Sequence, residues 1–224
     1  MHFDPVLFLI LPVFVLTVVA HECAHGLVAL WCGDTTARDR GRLTLNPLPH
    51  LDLIGSIVVP GLLFLFRSPF LFGWAKPVPV DWGRLRDPRN DPVKVALAGP
   101  AANALLALAF ALLVRLAPEP GPPGSARAFF APLADMAYAG VVWNCALGLF
   151  NLIPIPPLDG SWVLMRFLRM RHVIALNQFR LLGMALVLIL FMSKTTSNLL
   201  FYTPLRLAVR ACLGLFGVTV REVL

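Results

Sequence analysis

Two histidines and a carboxylate interrupt an otherwise apolar run from Val6 to Trp31: Val18-Val19-Ala20-His21-Glu22-Cys23-Ala24-His25-Gly26. On a helix, His21 and His25 stand one turn apart on one face, about 6 Å along the axis, so both imidazoles can reach one metal ion. Glu22 points about 100° round the helix, better placed for a water on that metal than for the metal itself. The spacing is H-E-x-x-H, whose mechanics are a metal-activated water with the glutamate as general base. The setting sharpens the reading. Burying an ionisable group at membrane depth costs at least ~2.5 kcal/mol on insertion scales, so such groups mark function by default. The alternative is a polar patch satisfied by helix–helix hydrogen bonds.

A second constellation lies far along the chain: Asn151-Leu152-Ile153-Pro154-Ile155-Pro156-Pro157-Leu158-Asp159-Gly160. Pro154, Pro156 and Pro157 must interrupt a helix ending near Phe150, since each removes a backbone donor and disfavours a helical residue before it. Irregular backbone at membrane depth is tolerated only where it is buried in protein or lines a wet cavity. A lone carboxylate, Asp159, follows that break. A metal held by His21 and His25 lacks one protein ligand, because catalytic zinc sites usually have three plus a water. Asp159 is the choice. Asp52, Asp81, Asp87, Asp91 and Asp135 lie in loops or near span ends without the unwound approach. The alternative role for Asp159 is to cap a helix starting near Gly160.

Composition says what scaffold must carry these groups. Of 224 residues, 58% are hydrophobic and only 14% charged, with a mean hydropathy of +0.77. A soluble domain would carry about 25% charged residues. The chain therefore reads as an integral membrane protein with one domain over residues 1–224. Its formal charge of +7 falls in loops between apolar runs, a topology signal rather than a nucleic-acid surface. Cys23, Cys32, Cys145 and Cys212 show no C-x-x-C spacing and read as small buried hydrophobes.

In chain order, residues 5–31 read as a retained first transmembrane helix. A cleaved signal would need a basic n-region, and the apolar run continues past Ala20. Thr35-Thr36 and Leu43-Thr44-Leu45 suggest a short β-hairpin near 34–46 at the membrane edge, an ordinary polar loop being the alternative. Residues 51–66 are short for a span, which needs about 20 residues, so they either cross tilted or form a re-entrant segment. The prolines of residues 73–80 deny that piece a helix and favour an extended chain. A clear span at 95–116 opens on Ala98-Gly99-Pro100-Ala101-Ala102-Asn103, where small residues permit close helix contact. Others follow at 129–150 and 173–193. Residues 198–217, with Arg206 and Arg210 at i,i+4, span or lie along the interface. The expected fold is an all-α polytopic membrane protein with four to six transmembrane helices, a re-entrant segment at 51–66 and the hairpin. Counted from Pro5, His21 lies ~24 Å along its helix, near the far edge of a ~30 Å hydrocarbon core, which predicts a shallow site. The positive-inside rule prefers the basic segments 32–50 and 67–94 both in the cytoplasm. That requires 51–66 to turn back near Pro60-Gly61, with 118–128 outside.

Both motifs, in this order, resemble the site-2 protease family of intramembrane zinc metalloproteases. The resemblance rests on His21-Glu22-Cys23-Ala24-His25 and on Asn151 to Gly160, which fits N-x-x-P-x-P-x-L-D-G. Residues 41–55, 73–80 and 98–103 also resemble compact bacterial members, so the likeness runs from about residue 5 to 170. Larger members often carry a PDZ or CBS domain, and no segment here is long and polar enough for either. The resemblance implies a Zn2+ ion (one per chain) held by His21, His25 and Asp159, with Glu22 as general base. It implies a transmembrane protein substrate cut within the lipid bilayer of the cell membrane; the loop charges put the site near the cytoplasmic face and point to no nucleic acid. An oxyanion develops during peptide hydrolysis, and a neutral amide could stabilise it. Asn151, where the helix breaks, is the first choice and Asn103 the second, the latter alternatively serving as a helix–helix bond. His50 could bind a second metal, gate water entry, or simply be hydrogen-bonded in its loop. The rival class is a small channel or transporter lined by broken helices. It explains Pro154–Pro157 but gives no reason for the spacing of His21, Glu22 and His25.

Overall fold

The computed structural model describes residues 5–66, 73–117, 130–178 and 180–219. Helix α1 (Pro5–Trp31) is followed by the short α2 (Thr36–Asp39) and α3 (Val59–Leu65), then by α4 (Asp91–Leu116) and α5 (Ala131–Asn151). After a break come α6 (Gly160–Met165), α7 (Met170–Gln178), α8 (Arg180–Met192), α9 (Lys194–Ser197) and α10 (Thr203–Gly214). Proline near the first turn starts both α4 and α5, where its missing N–H has no intrahelical partner to lose.

α1, α4 and α5 pack together as the centre of the protein. Small residues set their spacing: Gly140 of α5 faces the Phe110 ring of α4, and Gly148 faces Pro100 at ordinary contact distance. These pairings make α4 and α5 antiparallel. α10 lays Leu205, Val209 and Leu213, one residue per turn, against Tyr138, Val141 and Cys145 of α5 and Ala107 and Ala111 of α4. Its Arg210 stays exposed.

Among the described residues three helices are long and apolar enough to cross a membrane: Ile10–Trp31, α4 and α5. A fourth crossing exists if Leu182–Met192 and Lys194–Gly214, bent by 98° at their junction, act as one broken span. The expected four to six spans thus become three to four. α8 alone, at 1.5 Å per residue, reaches about 20 Å of a ~30 Å core. Ser193 then accepts the Thr196 N–H and starts a new helix in another direction.

The expected β-hairpin is absent, and no strand occurs among the described residues. Side-chain capping wins over ladder formation here. Asp34, wholly buried, accepts the Thr36 N–H (2.9 Å) and winds Thr36–Asp39 into a helical turn. Gly41, at φ +62°, then reverses the chain in the left-handed region that glycine tolerates. Asp52 likewise accepts the Gly55 N–H (2.6 Å) and opens a π-helical turn, Leu53–Val58, that continues into α3. Together these two elements rise only about 20 Å.

The extended chain beyond them returns to the same end of α1. The N–H of Trp74 donates to Gly55 O (3.1 Å), that of Lys76 to His50 O (2.8 Å) and that of Arg86 to Cys32 O (3.0 Å). Asp81 N–H donates to Asp34 Oδ2 at 2.8 Å. The expected outer loop, 118–128, lies outside the described residues.

Asp34 ties this end together. Burial by itself would push its carboxyl up, but the Thr36 hydroxyl and the N–H groups of Thr36 and Asp81 bind the charged form and hold it below the ordinary carboxylate range. Because the folded pKa is the lower one, this stabilisation is complete above the unfolded value of about 3.9 and disappears as pH falls through the folded value. Asp34→Asn should therefore cost about 1–3 kcal/mol at pH 7 and almost nothing at the acid extreme. Thermal unfolding in detergent at both pH values reads this out. An equal deficit at each would refute it.

Candidate metal centre

α1 runs unbroken through the H-E-x-x-H stretch, so His21 and His25 project from one face, their Nε2 atoms 3.0 Å apart. Asp159 Oδ2 stands 3.3 Å from each of them. One ligand atom from each residue lies within 4.8 Å of the others, and among the described residues this is the only such group of three. The broken chain after α5 delivers Asp159. Leu152 N–H still bonds back to Gly148 O, and Leu158 N–H to Ile155 O, so residues 152–159 form successive turns before α6 begins. Gly160 has no Cβ to strike the Leu152 carbonyl, which lets the turn close on the end of α5. Trp162 stacks on Trp82 with ring centroids 4.1 Å apart, and Arg166 Nε donates to Asn90 Oδ1, fastening α6 to the extended loop. Asp159 occupies the N-cap position of α6 but makes no side-chain cap bond, so its carboxylate faces the histidines instead.

Buried polar groups set which imidazole nitrogen carries the proton. The Val13 carbonyl can only accept, so the Thr17 hydroxyl donates to it (2.9 Å). Thr17 Oγ therefore accepts from Asn144 Nδ2 (2.9 Å), which also donates to Gly140 O. Asn144 Oδ1 then accepts from Asn103 Nδ2 (2.9 Å), turning Asn103 Oδ1 towards His21 Nδ1 at 2.6 Å. That nitrogen must be the N–H, which leaves Nε2 with its lone pair. His25 is fixed more directly, its Nδ1 donating to the Val95 carbonyl at 2.7 Å.

With both imidazoles neutral, two lone pairs and a carboxylate oxygen thus converge with no proton between them. Such a set repels itself unless a cation fills it, and Asp159 Oδ2 is a buried atom without a hydrogen-bond partner. Side-chain exposures of 5% for His21, 12% for His25 and 18% for Asp159 keep competing water scarce. Two imidazole nitrogens and one carboxylate oxygen fit zinc with an open fourth position. Gly99 belongs to the cradle, since a Cβ there would strike Nε2 of both histidines.

The remaining predicted residues fall differently. Glu22 stands outside the three-atom cluster, and its Oε2 accepts the Val78 N–H at 2.7 Å. Asn151 Nδ2 donates to its own helix, at Leu147 O (3.0 Å), using one of its two amide hydrogens. Asn103 is committed to His21 and Asn144. His50 is buried, with Nε2 3.0 Å from Thr44 O and 3.8 Å from Cys23 Sγ, and among the described residues it joins no metal-binding group. Asn144, Thr17 and the Val78 amide went unread in the sequence, and Gly99 was read only as permitting close helix contact. Asn144 carried a signal, a lone amide in an apolar span like Asn103. A backbone N–H leaves none.

A multi-pass helical scaffold with this donor set defines a membrane metalloprotease. The profile of peptidase family M50 matches residues 123–193. A Bacillus subtilis protein named "Putative zinc metalloprotease YwhC" is 35% identical over 196 residues, covering 86% of this chain and 85% of that one. "Putative zinc metalloprotease Rip2" of Mycolicibacterium smegmatis is 31% identical over 196 residues, covering 88% and 71%. Its Mycobacterium tuberculosis namesake is 32% identical over 185 residues, covering 81% and 65%. No solved structure is a significant match. The chain belongs to peptidase family M50, the site-2 proteases, and is a metalloendopeptidase.

If the amide relay and Gly99 shape the site as described, Asn103→Ala should weaken zinc binding about 10- to 100-fold, and Gly99→Ala should weaken it more. Competition against a chromophoric chelator measures both. Unchanged affinity in Asn103→Ala would mean that the relay does not orient His21.

Proposed function

We propose that the chain is an intramembrane endopeptidase binding one zinc ion through His21, His25 and Asp159 and cutting membrane-embedded protein substrates. The observation that carries this is the unpaired N, N, O donor set with Glu22 adjacent on the same transmembrane helix. When bound, zinc supplies a Lewis acid that lowers the pKa of a water towards ~7. With Oε2 held by Val78, Glu22 uses Oε1 to take the proton of the attacking water and later deliver it to the leaving amine. Asn151 offers its second amide hydrogen to the developing oxyanion. The substrate must unwind locally, because a helix hides its carbonyls in its own hydrogen bonds.

Glu22→Gln should keep zinc and lose cleavage of a fluorescence-quenched transmembrane peptide that the wild type cuts, whereas Asp159→Ala should lose both. Asn151→Ala should lower kcat by up to ~10²–10³-fold with little change in KM. Cleavage by Glu22→Gln at the wild-type rate would end the general-base assignment. A full zinc equivalent in Asp159→Ala would require another ligand. A purified wild type without zinc would favour the channel or transporter reading.

The topology belongs to the same reading. Residues 32–50 and 73–90 bond to each other at one end of α1, through Cys32 with Arg86 and Asp34 with Asp81. That supports 51–66 as a re-entrant segment, and with the positive-inside rule it favours a cytoplasmic location for both basic segments and for the opening of the site. In a background lacking the native cysteines, single cysteines at Arg40 and Arg86 should both resist an impermeant thiol reagent applied outside intact cells. Labelling at 86 but not at 40 would establish a crossing at 51–66.

A further inference from the structure

Arg42 is an unusual cation. Its side chain is buried, with a relative exposure of 7% for the residue, and among the described residues no carboxylate pairs with it. Its Nε has no hydrogen-bond partner. What Arg42 does bind is backbone: Nη2 donates to Lys76 O at 2.7 Å and to Pro77 O at 3.3 Å. Burying a guanidinium against two neutral carbonyls is costly, and a solvated lysine or a simple turn would close the same loop without that cost. The contact gains meaning from the next residue. Val78 N–H is the donor that holds Glu22 Oε2 at 2.7 Å.

The extended segment between these contacts is built to transmit position. Pro77 and Pro79 flank Val78, fixing φ on either side and biasing Lys76 and Val78 towards extended backbone. Lys76 N–H is pinned to His50 O, and the Val78 side chain packs so closely on Gly26 that a Cβ at Gly26 would lie 2.8 Å from it. Carbonyls at 76 and 77 are thus clamped from one side while the amide at 78 points to the carboxylate.

We propose that Arg42 is a positioning residue for the hydrolytic reaction. Through Lys76 and Pro77 it fixes the Val78 N–H, which holds Glu22 Oε2 and leaves Oε1 aimed at the water. This rests on the reading of Glu22 as the base. Arg42 touches neither substrate nor metal ligand, so removing its donors should slow the chemical step and spare both zinc and substrate binding.

The test uses the purified full chain loaded with zinc, in detergent, with the same quenched transmembrane peptide. Arg42→Met keeps the aliphatic stem and loses the donors; Arg42→Lys restores a donor. Arg42→Met should retain one zinc equivalent, hold KM within about twofold and lose about 10- to 10²-fold in kcat, the scale expected of a misplaced catalytic group. Arg42→Lys should recover most of that loss. Val78→Pro, which deletes the N–H itself, should lose a similar factor, and the double variant should be little worse than either single one. Wild-type kcat in Arg42→Met would overturn the proposal, as would a loss confined to KM, loss of zinc, no rescue by lysine, or fully multiplicative losses in the double variant. Should Val78→Pro not fold, the methionine and lysine variants still decide. Glu22→Gln run in parallel separates the two failures. An inactive Glu22→Gln beside a fully active Arg42→Met rejects only the role of Arg42, and an active Glu22→Gln rejects the base itself.

Discussion

Three atoms with lone pairs and no proton to share, His21 Nε2, His25 Nε2 and Asp159 Oδ2, face one another inside an apolar bundle. Much of the structure follows from making that arrangement possible. The imidazoles present the right nitrogen because their Nδ1 atoms are spent, one on the Val95 carbonyl and one on an amide relay ending at the Val13 carbonyl. The relay crosses α1, α4 and α5, so the polar groups that orient His21 also tie the three central helices. Each such bond is worth only about 0.6 kcal/mol, up to ~1.7, between membrane helices. Their direction therefore matters more than their strength: reversing Asn103 would set two acceptors face to face and put His21 in the wrong tautomer, and reversing Asn144 would set two donors against each other.

Close approach is the second requirement. Asp159 can reach the histidines only because α5 stops at Asn151 and Gly160 lets the turn fold back on the Leu152 carbonyl. α4 can pass behind the pair only because Gly99 presents no side chain there. The candidate metal site between helices is thus specified by residues that add nothing to the set of donor atoms.

These features differ in how far the sequence reveals them. The H-E-x-x-H spacing and the proline-broken run to Asp159 are legible because each is local, a helical repeat and a run of missing donors. The three central helices are legible from apolar length. The hairpin at 34–46 was misread because strand propensity in Thr35-Thr36 says nothing of Asp34, whose buried carboxylate takes the N–H that a ladder would need. The run at 173–193 looked like one span because its apolar half hides a polar first half, and hydropathy does not register the sharp turn capped by Ser193. Partnerships across the fold were out of reach. Nothing around Asn144 names Asn103 or Thr17, and the amide that holds Glu22 comes from a residue 56 positions away.

Depth gives the non-helical segments their logic. The apolar run of α1 extends from Val6 to Trp31, and His21 lies about 15 Å along the helix from Trp31. Residues 37, 43 and 78 pack against Gly26, while Thr44 O and Val78 N–H reach Cys23 and Glu22, so irregular chain descends beside α1 almost to the metal centre. Backbone at such depth must satisfy its polar groups within the protein or against enclosed water. Here the N–H groups at 74, 76 and 78 go to Gly55 O, His50 O and Glu22, and the carbonyls at 74, 76 and 77 go to Ser56 and Arg42. At 77 and 79, as at 154, 156 and 157, proline removes the donor altogether. An extended chain without a strand partner would otherwise leave every second N–H unpaired, at a cost of several kcal/mol each in apolar surroundings. The prolines are therefore as much a solution to burying unladdered backbone as a means of breaking helices.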